Sequence, residues 1–378
     1  MRRSLGLFPL PRTKVPFGYK CAQGLPKCDR TSFVGTMLTD HPDPGMPVEN
    51  GGVESRIRVA AHTLHGRGKV VLIKVFIGPN GLRAGWRLLL FILIAAIFGL
   101  LLDSMVRGAV RGLTPKSLIL GEGIGLLSVV LAGAVMARIE RRSFADYALP
   151  LRGALGIRFW FGALWGFAGL SGLLLAIRVR HGFSFGTVAL AGTRLAGYAA
   201  LWAIAFLLVG LLEEFLMRGY ALYTLTTGMG FWPSAVLLSV VFGAGHLRNP
   251  GESWAGGLSA ALIGLFFCFT VRRTGDLWFA IGLHAMWDYS QSFLYSVPDS
   301  GAMVEGHLLN SSFHGPAWLT GGSVGPEGSA LVFVVIGIMF VIFDRLYPRL
   351  RFPSLEAARV KPYIPVERVI VEDRWTGA

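Results

Sequence analysis

Two adjacent glutamates open the clearest chemical motif of this 378-residue sequence. Glu213 and Glu214 are followed by Arg218, four residues after Glu214. Neighbouring residues on a helix point about 100° apart, so the two carboxylates face different surroundings. Glu214 and Arg218 can pair along one helix face, which would neutralise Glu214 and leave Glu213 free. A simple charge patch at a helix end explains the Glu214–Arg218 pair but not Glu213.

Two histidines and an aspartate complete the set of residues that could do chemistry. His246 closes an apolar stretch after Gly243 and Gly245, which would let a neighbouring helix approach closely. His284 and Asp288 are four apart and share a helix face. Ionisable residues inside apolar spans are costly and mark function by default. Most of the apolar segments carry no charge at their centres. The exceptions cluster within one hundred residues, and we expect the functional site there.

Two kinds of water chemistry fit this set. A carboxylate and a histidine can hold and deprotonate a water, while a second histidine beside an acid stabilises the oxyanion of an attacked peptide carbonyl. Alternatively, Glu213, His246 and His284 bind a divalent metal such as zinc, which activates the water. The spacing does not separate the two. The sequence has no HExxH zinc helix, and its two GxSxG matches, at residues 182–186 and 321–325, lie outside the segment that carries these residues.

The composition indicates a membrane protein. Hydrophobic residues make up 53% of the chain and charged residues only 15%, with a mean hydropathy of +0.56. Soluble domains carry about a quarter charged residues, and disordered chains carry far fewer aromatic ones. The net charge of +14 would suggest nucleic acid for a soluble protein. In a membrane protein it indicates basic cytoplasmic loops instead, so we expect no nucleic-acid partner.

Eight apolar runs are long, or nearly long enough, to cross a bilayer, which takes about 20 residues. They cover residues 86–102, 118–137, 159–177, 195–212, 231–245, 258–271, 277–297 and 330–343. The sequence therefore predicts an all-α fold, a polytopic transmembrane helical bundle of about eight spans. Its partners would include membrane lipids.

The distribution of basic residues predicts the orientation and the domain boundaries. The connection 138–158 carries five arginines, whereas residues 298–329 contain neither Lys nor Arg. With an even number of spans, both termini are expected in the cytoplasm. Residues 1–80 hold 12 Lys or Arg and read as a basic, disordered extension. Residues 81–347 form the transmembrane domain, with its motifs in 195–295, and 348–378 form a cytoplasmic C-terminal tail.

The motifs together resemble a known protease family. Glu213-Glu214-x-x-x-Arg218, Phe242-x-x-x-His246 and His284-x-x-x-Asp288 are similar to the three motifs of the CAAX protease and bacteriocin-processing (CPBP, or Abi) family. This family includes the type II CAAX prenyl endopeptidases. The resemblance covers residues 195–295 and implies an eight-helix intramembrane endopeptidase. Its substrate would be a peptide or protein, lipidated if it is a CAAX-box protein undergoing maturation.

The resemblance also implies roles for the individual residues. Glu213 and His246 would activate the water, and His284 with Asp288 would stabilise the oxyanion, while Glu214 and Arg218 support the site. Prenyl proteases commonly have Asn where this chain has Asp288. An ionised Asp is a poor oxyanion donor, so it would instead orient His284 or touch a metal. Members of the family have been described both as glutamate-dependent and as metal-dependent.

A non-enzymatic function is the competing interpretation. A proton-coupled transporter, or a bacteriocin-immunity-type membrane protein, could use the same acids and histidines as a relay. The two halves of the sequence lack a matching pair of Gly- or Pro-broken spans, which speaks against a transporter built from inverted repeats.

The predicted spans place the site residues at unequal depths. Glu213 and His284 fall toward the cytoplasmic half, whereas His246 falls near the far end of its span. Groups that share one water must lie at similar depth. We therefore expect either that the fourth helix extends to about residue 225 or that the fifth begins after residue 231.

Overall fold

A computed structural model describes residues 75–78, 81–106 and 114–352, and this part of the chain is mostly helical, with very little strand. The helices are α1 (Ala84–Met105), α2 (Pro115–Glu140), α3 (Ile157–Val179), α4 (Gly192–Glu214), α5 (Leu222–Met229), α6 (Phe231–His246), α7 (Trp254–Thr274), α8 (Trp278–Asp288), α9 (Ala317–Thr320) and α10 (Ala330–Leu346). The prediction of an all-α bundle is confirmed.

Short strands and tight turns connect some of the helices. Strands β1 (Ile77–Gly78) and β2 (Gly81–Leu82) pair antiparallel, as do β3 (Phe183–Ser184) and β4 (Ser312–Phe313). The second pair ties the connection after α3 to the long segment between α8 and α10. One-turn 3₁₀ helices form at Phe144–Tyr147 and Pro326–Gly328.

The chain is a multi-pass membrane protein. Among the described residues, five helices are long and apolar enough to cross a bilayer: α1, α2, α3, the continuous helix Gly192–Met229 and α7. Large apolar side chains project outward from them; Leu100 of α1, for example, is 74% exposed. Such continuous apolar surface is what lipid contact requires. Each of the eight predicted spans overlaps a helix, while the count of eight crossings stays a prediction.

The fourth helix extends beyond residue 212, the end of its apolar run, which is the first of the two expected alternatives. α4 does not stop near residue 212 but continues through a π-helical segment, Phe215–Ala221, into α5. The resulting helix has 38 residues, and Glu213 lies near its middle. A second π-helical segment, Tyr289–Leu294, directly follows Asp288 at the end of α8. Both acidic motifs thus border a π segment, a feature that is common at functional sites.

Glycines bring the motif-bearing helices into close contact. A Cβ on Gly162 of α3 would lie 2.0 Å from Phe279 O, and a Cβ on Gly282 of α8 would lie 2.0 Å from Phe159 O. Only a hydrogen atom fits at these crossings, so α8 lies directly against α3. On α6, a Cβ on Gly243 would lie 2.3 Å from Gly257 O, which confirms the predicted close approach there. Gly245 faces open space, so its predicted role is wrong.

A buried polar cluster joins the first helices to the π segment after α4. The fully buried Glu140 carboxylate accepts hydrogen bonds from Arg87 at 2.6 and 2.9 Å, from Tyr147 at 3.0 Å and from Tyr220 at 2.6 Å. A buried carboxylate is tolerated only when it is paired and hydrogen-bonded in this way. The cluster therefore fixes the π segment that contains Arg218.

Tyr220→Phe should lower the free energy of unfolding by about 1–3 kcal/mol, because a hydrogen bond to a buried charge is lost. The matched control is Tyr198→Phe, whose exposed hydroxyl lies 3.4 Å from Glu305 Oε1. Thermal and SDS-induced unfolding of the purified protein in detergent measure the loss of stability in the two variants. Equal losses in the two variants would contradict the assigned importance of the cluster.

Candidate active site

The residues of the predicted set line one cavity of about 500 Å³. Glu213 comes from the middle of the long α4–α5 helix, His246 from the end of α6, and His284 and Asp288 from α8. Four groups from three helices, 75 residues apart at the extremes (288 − 213), thus face a common space. Their catalytic roles stay predictions, but the structure brings them together.

The extended fourth helix resolves the unequal depths of the predicted spans. α6 begins at Phe231, as expected, and the long helix runs on to Met229 rather than ending after Glu213. Glu213 therefore lies within the bundle instead of at a membrane surface. At this depth it lines the same cavity as His246.

The two adjacent glutamates occupy different environments. Glu214 is fully buried, whereas the Glu213 side chain is 33% exposed and lines the cavity. Glu213 Oε2 has no hydrogen-bond partner among the described residues. This difference follows from the 100° turn between neighbouring helical positions. The Glu214 carboxylate is bound within the protein, and the Glu213 carboxylate is available to a ligand.

Glu214 is the centre of a buried charge cluster. Its Oε1 accepts a hydrogen bond from Arg218 Nη1 at 3.0 Å and from His284 Nδ1 at 2.8 Å. The predicted Glu214–Arg218 pair therefore forms, and it also includes His284. Because a carboxylate only accepts, the proton on this bond belongs to Nδ1 of His284.

Arg218 is held between aromatic rings. Its guanidinium carbon lies 4.2 Å from the ring centre of Phe242 and 5.1 Å from that of Phe267, and the side chain is fully buried. Gly264 leaves the space for it, since a Cβ there would lie 2.6 Å from Nη2. Cation–π contacts of this kind become stronger away from water. Phe242, predicted as a supporting residue, thus shields Arg218 from the cavity that it also lines.

His284 presents its second nitrogen to the carboxylates that line the cavity. Nε2 lies 3.7 Å from Glu213 Oε2 and 3.5 Å from Asp288 Oδ2. The ring stacks on Phe267 with centroids 5.1 Å apart, which fixes its plane. Glu214, and not Asp288, makes the hydrogen bond that orients this ring. Glu214 therefore orients the His284 ring, the role that was suggested for Asp288.

His246 has a defined tautomer. Its Nδ1 lies 2.9 Å from the carbonyl oxygen of Phe242, one helical turn earlier. A carbonyl only accepts hydrogen bonds, so Nδ1 carries a proton, and in the neutral ring Nε2 keeps its lone pair. The half-buried ring also lies 4.5 Å from the Phe242 ring, centroid to centroid. His246 can therefore accept a hydrogen from water through Nε2.

Sequence reasoning missed several lining residues, foremost Glu122 of α2. Glu122 lies near the start of the predicted second span, outside the hundred residues in which the intramembrane charges were expected to cluster. An intramembrane carboxylate is itself the signal that could have identified it. Other missed lining residues include Trp287 and three polar members of the 298–329 segment: Asp299, Ser300 and Glu327.

Residues 298–329 form a lid over the cavity. Glu327 holds it: Oε1 accepts from Trp287 Nε1 at 3.2 Å, and Oε2 accepts from the backbone N–H and the hydroxyl of Ser300 at 3.0 and 3.1 Å. Gln291 Nε2 donates to Pro298 O at 2.8 Å. The lid is therefore bonded to the end of α8, next to Asp288.

The described residues do not form a ready metal centre. Within the described ranges, no three His, Cys, Asp or Glu side chains are arranged as ligands of one ion. Of the suggested set Glu213, His246 and His284, the last donates Nδ1–H to Glu214, a bond that leaves its Nε2 open to a ligand. Glu213, His246 and His284 would be the residues to hold a divalent metal that polarises a water, and the steps derived below use protein groups and water.

A comparison with known protein families matches the segment of the chain that carries the four candidate catalytic residues. Residues 195–290 match the family model described as type II CAAX prenyl endopeptidase Rce1-like, over about a quarter of the chain. The matched range contains Glu213, His246, His284 and Asp288, and it ends before the lid. Searches among curated proteins and among solved structures give no significant match. The chain is therefore a multi-pass membrane protein whose residues 195–290 match the Rce1-like type II CAAX prenyl endopeptidases, within the CPBP family that its three motifs resemble.

Proposed function

We propose that this protein is an intramembrane endopeptidase in which Glu213 and His246 activate the attacking water. The observation that carries the proposal is the shared cavity: a free carboxylate and an imidazole lone pair face the space in front of His284. Both groups accept hydrogens, so together they can hold the two hydrogens of one water. The Rce1-like match supports a CAAX-type protease at the level of the family.

In the proposed reaction, Glu213 acts first as a base and then as an acid. Glu213 removes a proton from the water as its oxygen attacks the peptide carbonyl carbon, while His246 Nε2 accepts the second hydrogen and holds the water in place. The carbonyl oxygen becomes an oxyanion. The protonated Glu213 then gives its proton to the leaving nitrogen, and the carbon–nitrogen bond breaks. The products are a new carboxyl group and a new amine.

His284 is the proposed oxyanion donor. Its Nδ1–H is fixed by Glu214, so in the protonated ring Nε2–H points at the place where the oxyanion forms. A donor that is already oriented stabilises this charge without reorganisation. Asp288 cannot donate when ionised, and we assign it to substrate contact instead. Glu214 and Arg218 are positioning residues in this scheme.

The arginine-containing connection between α2 and α3 indicates the half of the membrane in which we expect cleavage. Leu277 N donates to Ala148 O, so α8 begins beside the 141–156 connection. His284 lies six residues after Trp278, or about 9 Å along the helix. Because arginines concentrate in that connection, we place it in the cytoplasm together with both termini. Cleavage would then occur in the cytoplasmic half of the membrane.

The proposed organisation extends beyond the described residues. We keep residues 1–80 as a basic extension, 81–347 as the transmembrane domain and 348–378 as a cytoplasmic tail. Residues 1–74 and 353–378 lie outside the described part of the chain. The proposed substrate is a peptide or protein, lipidated in the case of a CAAX-type target, presented from the lipid phase.

Comparative peptidomics of membranes tests the proposal. Membranes from cells that contain the wild-type protein, the His246→Ala variant or no protein are compared by mass spectrometry. We expect cleaved peptides in the wild type alone. Proton-dependent uptake into proteoliposomes without any cleavage would instead favour the transporter interpretation. A parallel assay with a chelator and with added zinc measures dependence on a metal, and the proposed mechanism predicts that activity survives chelation.

Gly282→Ala should lower kcat/KM by about a hundredfold, because α8 must move away from Phe159 O and carries His284 with it. The matched control is Gly172→Ala on α3, where a Cβ meets nothing within 4 Å. Cleavage of a peptide identified by peptidomics provides the measurement. Full activity of the Gly282→Ala variant would show that the position of α8 is not critical.

A further inference from the structure

We propose that Glu327 is a positioning residue of the proposed reaction: it couples the closed lid to α8 and thereby keeps His284 in place to bind the oxyanion. The proposal rests on the proposed endopeptidase function and names a control point of the same site. Glu327 lies outside residues 195–290, the segment that matches the protease family.

The two carboxylate oxygens of Glu327 bind different parts of the chain. Oε1 accepts a hydrogen bond from the indole N–H of Trp287, in α8, at 3.2 Å. Oε2 accepts from the backbone N–H and the hydroxyl of Ser300, near the start of the lid, at 3.0 and 3.1 Å. A carboxylate accepts hydrogen bonds at both oxygens, whereas the amide of Gln accepts at one. Glu327 is therefore suited to join a helix of the site to the lid.

Trp287 connects this joint with the proposed oxyanion donor. It lies three residues after His284, so the two side chains are neighbours on the helix surface. Trp287 is buried and packs against α3, since a Cβ on Gly169 would lie 3.0 Å from its Cζ3. A buried indole N–H needs an acceptor, which Glu327 provides. The packing and the hydrogen bond together fix the indole, and with it the turn of α8 that carries His284.

The end of α8 depends on such contacts because its backbone becomes irregular there. The π-helical segment Tyr289–Leu294 follows α8 directly, and a π segment interrupts the regular hydrogen bonding of an α-helix. Two more side chains tie this segment to the lid: Gln291 Nε2 donates to Pro298 O at 2.8 Å, and Ser292 Oγ donates to Asp299 Oδ2 at 2.9 Å. The lid therefore supports the end of α8 directly.

The same lid contacts the connection that follows His246. Ser323 Oγ donates to Gly251 O at 3.0 Å, and a Cβ on Gly301 would lie 2.3 Å from Pro250 O. Only a hydrogen atom fits at Gly301, so the lid lies directly against this connection. In its closed position, the lid thus bridges the elements that carry the two proposed catalytic histidines.

The consequence of this coupling is an effect on turnover. Displacement of a catalytic group by about 1 Å can cost about a hundredfold in rate, and a closed lid also keeps water from the reaction. The residues proposed to contact the peptide stay in place when the Glu327 joint is broken. We therefore expect the loss of this joint to lower kcat and to leave KM nearly unchanged.

Kinetics of the full-length protein in lipid test the coupling. Trp287→Phe removes the N–H and keeps an aromatic ring, and Glu327→Gln removes one of the two acceptor oxygens. Each should lower kcat about tenfold, as expected for a lost hydrogen bond to a charged group, with KM within about twofold of the wild type. Because both substitutions break the same bond, the double variant should lose no more than Glu327→Gln alone.

Two substitutions within the lid are matched controls. Trp318→Phe replaces an indole that is 56% exposed, and Glu305→Gln replaces a carboxylate that does not line the cavity. Both should keep kcat within about twofold of the wild type. Ser300→Ala is a milder variant, because the backbone N–H of Ser300 still binds Oε2, and it should lower kcat about threefold. Thermal unfolding confirms that each variant is folded.

Hydrogen exchange measures the same coupling without catalysis. In Glu327→Gln, the backbone amides of residues 284–294 and 299–302 should exchange about tenfold faster than in the wild type, because both segments lose a bond that holds them closed. In Glu305→Gln, the exchange rates of these amides should not change.

The outcomes separate the two proposals. Wild-type kcat in Trp287→Phe or Glu327→Gln, losses that multiply in the double variant, or unchanged exchange of α8 in Glu327→Gln would overturn the coupling. Faster exchange of α8 in Glu327→Gln, combined with no hydrolysis of any peptide by the wild type, would support the coupling and reject the endopeptidase function.

Discussion

Glu213→Gln should lower kcat/KM for peptide cleavage by about 10²–10⁴-fold, the usual contribution of a general base. The amide has nearly the shape of the carboxylate but cannot take a proton from water. The Glu213 side chain is one-third exposed, and its buried Oε2 has no hydrogen-bond partner among the described residues, so the substitution breaks no hydrogen bond there and loses the 3.7 Å ion-pair contact with His284 Nε2. We therefore expect the loss in kcat with little change in KM or in the unfolding temperature.

Glu305→Gln provides the control for this experiment, since it neutralises a carboxylate of the lid that does not line the cavity. Its kcat/KM should remain within about twofold of the wild type, as for most surface substitutions. If Glu213→Gln kept wild-type kcat, the general base would have to be another group of the cavity.

Arg218→Met should lower the free energy of unfolding by about 3–5 kcal/mol, the typical cost of breaking a buried ion pair from one side. Both side chains of the Arg218–Glu214 pair are fully buried, and they lie 3.0 Å apart. Removal of the guanidinium leaves the Glu214 carboxylate with His284 as its remaining partner. SDS-induced unfolding of the purified protein measures the loss.

The double variant Glu214→Gln/Arg218→Met tests the reason for that loss. It removes both charges, while the side-chain amide oxygen introduced at position 214 still accepts from His284 Nδ1. We therefore expect the double variant to be more stable than Arg218→Met alone by about 1–3 kcal/mol. Strictly additive losses would show that the two residues act independently. The substitution Arg345→Met, at the exposed end of α10, serves as the control and should have little effect.

The helices and the motif acids could be predicted from local sequence. An apolar run long enough to span a bilayer needs no tertiary information, because every backbone group is satisfied within the helix. Glu213, Glu214 and Arg218 were separable into a free and a paired carboxylate from helical geometry alone. The extension of the fourth helix did not follow from the apolar run, because polar residues at 213–220 imitate the end of a span. It followed only from the need to bring the site residues to one depth, and then as one of two alternatives.

The lid was not predictable from the sequence, because its contacts are distant in the chain. Glu327 bonds to Trp287 across 40 residues, and β4 pairs with β3 across more than 120. The lid is rich in Gly, Ser and Pro, which by local rules indicates a loop and nothing more. The absence of Lys and Arg from residues 298–329 was the one usable signal, and it pointed to membrane orientation before the cavity was known.

Hydrolysis in ¹⁸O-labelled water tests the central claim most directly. The purified protein is reconstituted in lipid with a peptide identified by the peptidomic comparison, and its products are examined by mass spectrometry. The proposed mechanism predicts one ¹⁸O in the new carboxyl group for the wild type, and no product for Glu213→Gln or His246→Ala. Unchanged product formation by either variant, or a wild-type protein that cleaves nothing, would contradict it.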